Sequence, residues 1–144
     1  MLTRSAEETI EYGLKFAKKL KGGEIIGLVG DLGGGKTTFV KGLAEGLKVA
    51  ETITSPTFVI LREYNILRPK VHLRGVLSGL KLVHIDAYRV ETLEDIKSVG
   101  IEDYLSRNDV VMVIEWAEKI KEILPEKTKY IHFEHINQDS RRIA

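Results

Sequence analysis

Apolar positions along this chain follow two patterns, one spaced three and four residues apart and one nearly continuous over about six. Ala6, Ile10, Leu14, Ala17 and Leu20 keep the helical spacing, and Ser5 with Glu8 three residues later has the form of a capping box. The pattern predicts a helix over 6–20, closed by Gly22 and Gly23. "EIIGLV" (24–29) is a short apolar run of the kind that is buried on both faces of a parallel sheet. Phe39, Val40, Leu43 and Leu47 predict a second helix over 36–48. "FVILREY" (58–64), "KLVHID" (81–86), "DVVMVIEW" (109–116) and "KYIHFEHI" (129–136) read as strands. Residues 91–105 read as mostly helical with a break near Gly100, and a further helix follows Trp116 until Pro125 stops it.

Strands that alternate with helices predict an α/β fold with a mainly parallel central sheet between helical layers. "FVILREY" and "KLVHID" have no helix between them, which predicts an antiparallel β-hairpin at one side of the sheet. The irregular stretch is 65–80, "NILRPKVHLRGVLSGL". With 144 residues and no internal repeat, the chain reads as one domain, 1–144, with 65–80 as an inserted basic loop. A net charge of +1 gives no global field for nucleic acid, although a local basic patch is compatible with it. The absence of cysteine excludes disulfide and thiolate chemistry, and no leader or long apolar run is present. These features point to the cytoplasm.

Gly30-Asp31-Leu32-Gly33-Gly34-Gly35-Lys36-Thr37 satisfies G-x-x-x-x-G-K-[ST], between a predicted strand and a predicted helix. A loop that wraps a phosphate group needs inward-pointing backbone N–H groups and has no room for side chains, which explains the glycines. The helix opening at Lys36 adds its N-terminal amides. Lys36 is placed to bridge the β- and γ-phosphates, the Thr37 hydroxyl to bind Mg²⁺, and Thr38 to reach the α-phosphate. Such a loop works with an acid at the end of a neighbouring strand. Glu115 ends "VVMVIE" and Asp86 ends "LVHID", so both are candidates. Trp116, next to Glu115, falls near the phosphates. His72, His84, His132 and His135 lack metal-ligand spacing and read as ordinary residues. Thr54–Thr57 follows the second helix, where nucleotide switches often sit, and reads equally well as a plain loop.

Four stretches in order, "GDLGGGKTTF" (30–39), "TSPTF" (54–58), "HIDAYR" (84–89) and "VIEW" (113–116), resemble the TsaE family, formerly YjeE, of small bacterial ATPases. The resemblance runs from the first helix to "DSRRI" (139–143). It implies a part in making threonylcarbamoyladenosine, the modification beside the tRNA anticodon. It also implies that Gly30, Asp31, Leu32, Gly33, Gly34, Gly35, Lys36, Thr37 and Thr38 hold ATP, that Thr37 and Glu115 hold Mg²⁺, and that Asp86 serves hydrolysis or its coupling. Trp116 then lies close to the nucleotide, and the segment around Ser5 and Ala6 helps to seat the adenine. Lys36, Asp86 and Glu115 are the implied catalytic residues. Members resemble a motor for a TsaD–TsaB complex, with tRNA met through that complex, and are poor ATPases alone. Two departures stand out: Gly34 replaces a usual Ala, and the 65–80 loop is longer than usual.

Two readings compete. A small-molecule P-loop kinase would need an acceptor pocket and an Arg-bearing lid, for which 144 residues leave little room. A nucleotide-switched binding module without catalysis would not need Lys36, Thr37, Asp86 and Glu115 together. The basic loop is testable directly. If Arg68, Lys70 and Arg74 belong to a solvated insertion, the reading favoured here, replacing all three by Ala leaves tRNA binding by the assembled complex unchanged. A fall in tRNA affinity together with a shallower salt dependence would instead mark phosphate contact.

Overall fold

The computed structural model describes residues 1–54, 60–67, 70–72, 75–77 and 79–144. Its elements in chain order begin with β1 (Leu2–Thr3), α1 (Ala6–Ala17), β2 (Ile25–Gly30) and α2 (Lys36–Gly46). Next come β3 (Leu61–Asn65), β4 (Lys70–His72), β5 (Gly75–Leu77), β6 (Lys81–Asp86) and α3 (Leu93–Lys97). The chain continues with β7 (Val110–Glu115), β8 (Lys129–His135) and β9 (Arg141–Ile143). Short 3₁₀ segments cover Ile101–Asp103 and Ala117–Ile123.

Among the described residues the main sheet has the order β1-β9-β8-β2-β7-β6-β3. Strands β8, β2, β7 and β6 run parallel in its centre, while β3, β9 and β1 pair antiparallel at the flanks. Side chains alternate across this sheet. Leu28, Leu82, Val113 and Ile131 pack against α1 and α2 on one face. Val83, Ile85, Met112 and Ile114 pack against α3 and the two 3₁₀ segments on the other. The predicted α/β fold with a parallel centre is therefore the observed one, and the expected antiparallel pairing of the "REY" and "HID" strands is β3 with β6.

Several local expectations are corrected. The stretch read as irregular contains a small hairpin, with β4 antiparallel to β5. Only Leu93–Lys97 is α-helical within 91–105; Gly100, at φ 83°, turns the chain into the 3₁₀ turn that follows. The segment after Trp116 is 3₁₀ rather than α, because Ile120 leaves helical geometry at φ −124°, ψ 18°. Strands β1 and β9 carry no periodic signal at two and three residues, and pairing creates them. Half of the expected capping box forms: Ser5 Oγ accepts the Glu8 N–H, but the Glu8 carboxylate takes the Arg4 N–H instead of that of Ser5. Phe58, Val59 and Ser55–Thr57 lie outside the described residues, as do Arg68 and Arg74.

Helices α1 and α2 approach closely because glycines line their contact. A Cβ added at Gly42 would stand 2.0 Å from the Ile10 carbonyl oxygen, and one at Gly13 2.3 Å from that of Phe39. This approach carries the first turn of α1, with Ser5, Ala6 and Thr9, to the loop that precedes α2. Replacing glycine by alanine inside a helix ordinarily stabilises by about 1 kcal/mol. Here Gly42→Ala forces backbone apart, so the variant should lose about 1–3 kcal/mol, read as a lower urea midpoint. A midpoint equal to or above that of the parent chain would contradict the packing.

Candidate functional site

Strand β2 ends at Gly30, the chain turns through Asp31–Gly35, and α2 begins at Lys36. Gly30 has no room for a side chain, since a Cβ there would lie 2.1 Å from the Phe133 carbonyl oxygen. Gly35, the residue that opens α2, has φ 94°, a conformation that L-residues with side chains rarely adopt. Among the described residues no side chain caps this helix. Its first amides, which lack intrahelical partners by geometry, therefore face the cleft together with the positive end of the helix dipole.

Alternation along two parallel strands brings the acids to this loop. Leu82, His84 and Asp86 share one face of β6, and Val111, Val113 and Glu115 the corresponding face of β7. Asp86 and Glu115 are register partners at the carboxyl ends of these strands, both below a tenth exposed. Thr37 Oγ1 donates to Glu115 Oε1 at 2.6 Å, and His84 Nε2 lies 2.7 Å from Glu115 Oε2. The carboxylate oxygen accepts, so Nε2 carries the hydrogen in that pair. Asp86 Oδ1 accepts the Tyr88 N–H at 2.9 Å.

Lys36 is buried despite its charge. Its Nζ donates to the carbonyl oxygens of Gly30 and Asp31, the latter at 2.8 Å, and stands 4.1 Å from the centre of the Trp116 ring. Burial pushes the ammonium below the ordinary lysine range, while Glu115, Glu118, Asp31 and Asp86 pull the other way. Trp116 has φ 59°, a costly conformation for an aromatic residue, and its ring packs on Tyr88 with centres 5.0 Å apart.

A cleft of about 470 Å³ joins these parts. Leu32, Gly33, Gly34, Gly35, Lys36, Thr37, Thr38, Asp86, Glu115 and Trp116 line it, as do Ser5 and Ala6. Gly30 and Asp31 form the entry to the loop without lining the cleft. Sequence reasoning missed Thr9, Tyr88, Gln138, Asp139 and Arg141, which also line it. Arg141 Nε donates to the Gly33 carbonyl at 3.0 Å, and its Nη1 donates to the carbonyls of Asn137, Gln138 and Ser140. Its place depends on the β8–β9 turn, so no local pattern announced it. His84, read from spacing as ordinary, belongs to the site through Glu115.

A parallel sheet whose second strand turns through a glycine loop into a helix, beside two strand-end acids, defines a P-loop-type α/β protein. Residues 3–143 match the family described as "Threonylcarbamoyl adenosine biosynthesis protein TsaE". The chain is 39% identical over 142 residues to the tRNA threonylcarbamoyladenosine biosynthesis protein TsaE of Bacillus subtilis, covering 99% of this chain and 81% of that protein. It is 37% identical to the protein of the same name from Treponema pallidum, covering 99% of this chain and 96% of that one. The crystal structure of Bacillus subtilis YdiB superposes with a TM-score of 0.72 at 35% identity, over 99% of this chain and 80% of that one. The chain belongs to the TsaE family, and its role lies in the biosynthesis of tRNA threonylcarbamoyladenosine.

The buried lysine gives a prediction with a definite sign. Its charged form is the penalised one, so the cost of Lys36 is full at pH values below its folded pKa. That cost is relieved as pH rises from the folded pKa towards the unfolded value. Compared with Lys36→Met, the parent chain should therefore gain stability between pH 7 and pH 10, about 10 being the ordinary lysine value. Urea unfolding of both chains at the two pH values measures this. A stability difference independent of pH would contradict the burial argument.

Proposed function

We propose that this protein is a Mg²⁺-dependent ATPase that serves a TsaD–TsaB complex in threonylcarbamoyl modification of tRNA. The observation that carries the reading is the juxtaposition of an uncapped helix N-terminus, a buried lysine and a Thr37–Glu115 pair at one cleft. The cleft volume suits a nucleotide-sized ligand, within the ~300–1,000 Å³ common for small-molecule sites. A hydroxyl and a carboxylate are hard oxygen donors of the kind Mg²⁺ takes, with remaining positions filled by phosphate oxygens and water.

In this reading the amides of Gly33–Thr38 bind the phosphates, and Lys36 turns its ammonium from the loop carbonyls towards the β/γ oxygens. Thr37 and Glu115 would hold Mg²⁺, which would supply positive charge to offset that developing on the phosphoryl group. Asp86, the register partner of Glu115 at the end of β6, would orient the attacking water. Trp116 shields Lys36 and flanks the nucleotide. Glu115 and Asp86 sit on the central strands, so the acids are fixed while the partner supplies whatever completes turnover. As the resemblance to the TsaE family implies, hydrolysis by the isolated chain is expected to be slow and to rise with TsaD–TsaB.

The test is ATP turnover with and without TsaD–TsaB, together with calorimetry of nucleotide binding. Lys36→Ala should abolish binding on a folded protein. Glu115→Gln should hold nucleotide affinity within about threefold, since shape is kept, and lower partner-stimulated turnover by on the order of a hundredfold. Asp86→Asn should likewise hurt turnover more than binding. Parent-like affinity in Lys36→Ala would remove the phosphate-site assignment. Unchanged turnover in Glu115→Gln would reduce Glu115 to a structural acid.

A further inference from the structure

His84 is fully buried on β6, two residues before Asp86 and on the same face. Its neighbours Leu82, Val83 and Ile85 are apolar and equally buried. Among the described residues the imidazole makes one hydrogen bond, Nε2 to Glu115 Oε2 at 2.7 Å, and Nδ1 finds no partner. Packing alone would favour an aliphatic side chain here, because a buried nitrogen without a partner is a cost that Leu or Val avoids. What offsets that cost among the described residues is the contact with Glu115. Both carboxylate oxygens are thereby engaged differently: Oε2 by a ring fixed in a packed sheet, Oε1 by a hydroxyl on the loop helix.

We infer that His84 is a positioning residue that occupies Glu115 Oε2 and restricts the carboxylate to presenting Oε1 alone, on the Thr37 side, to a divalent cation. This rests on the reading of Thr37 and Glu115 as the metal-holding pair. Partners of this kind, one hydrogen bond behind the ligand atom, commonly govern metal affinity about 10–100-fold. Presentation of a single oxygen has a chemical consequence. Mg²⁺ takes near-octahedral geometry with one oxygen from each carboxylate and several waters, whereas Ca²⁺ is larger and readily accepts both oxygens of one carboxylate. A glutamate tied back by His84 suits Mg²⁺ and handicaps Ca²⁺. Freed from the ring, the same glutamate can offer both oxygens.

The experiment measures ADP affinity by calorimetry in EDTA, in saturating MgCl₂ and in saturating CaCl₂, for the parent chain, His84→Leu and His84→Gln. The parent chain should bind ADP more tightly with Mg²⁺ than with Ca²⁺. In His84→Leu the Mg²⁺-to-Ca²⁺ preference should fall about tenfold. His84→Gln places an amide N–H near the position of Nε2 and should keep the preference within about threefold of the parent value. Affinity in EDTA should be alike in all three, which separates loss of metal selectivity from general damage to the site. If His84→Leu does not fold, His84→Asn, whose amide stops at the depth of Nδ1, takes its place with the same expectation. A parent chain whose ADP affinity ignores both metals overturns the Thr37–Glu115 metal reading, and this inference with it. A metal-sensitive parent with an unchanged preference in the variant that lacks the donor overturns the role of His84 alone, as does a His84→Gln chain that behaves like His84→Leu.

Discussion

A buried carboxylate at the end of a central strand must be matched by donors on every side, and Glu115 imposes that requirement on three elements at once. Its oxygens take the Thr37 hydroxyl from α2 and the His84 ring from β6, while its own backbone belongs to β7. An unmatched carboxylate in such a place would be strongly destabilising. The match fixes the start of α2 against the sheet, and with it the direction in which the helix amides point. The cleft is thus organised by electrostatics as much as by the shape of the glycine loop.

The second constraint is steric. Gly13 and Gly42 let α1 and α2 touch backbone to backbone, which brings the first turn of α1 alongside the loop. Thr9 then stands against Gly35, where a Cβ would meet its Cγ2 at 3.7 Å, and Thr9 Oγ1 pairs with Thr3 Oγ1 beneath. Arg141, the register partner of Thr3, stands against the same glycine and ties the β8–β9 turn to Gly33 through the loop's own carbonyl. The loop is therefore braced by two segments distant from it and from each other in sequence. Kinship with the TsaE family extends over the elements that do this bracing, since the match runs from residue 3 to residue 143.

The parts legible in the sequence were those with a strong local signature. The buried strands β2 and β7 announce themselves as continuous apolar runs, and the glycine loop between a strand and a helix announces its chemistry. The acids follow, because a strand that ends on Asp86 or Glu115 beside such a loop has few other uses. What stayed hidden depends on pairing and burial. Strands β1 and β9 are too short for periodicity and exist because they hydrogen-bond to each other and to β8. The segment after Trp116 has helical composition, yet it is 3₁₀ and kinks at Ile120, which no local pattern encodes. His84 lacked metal-ligand spacing, and only the parallel register of β6 with β7 shows that its ring reaches Glu115. Arg141 arrives through a turn whose geometry no short motif encodes.

In the proposed function the start of α2 and the glycine loop before it form the phosphate cradle, with Glu115 and Thr37 at its metal side. Amide-resolved NMR of the isotope-labelled chain during titration with Mg²⁺ and ADP tests this most directly. Saturable shifts are expected to be largest at the backbone amides of Gly33–Thr38 and at the Trp116 indole N–H, with small changes on the far face around Ile96 and Ile101. Saturable binding that leaves the Gly33–Thr38 amides unmoved and shifts residues away from the cleft would contradict it.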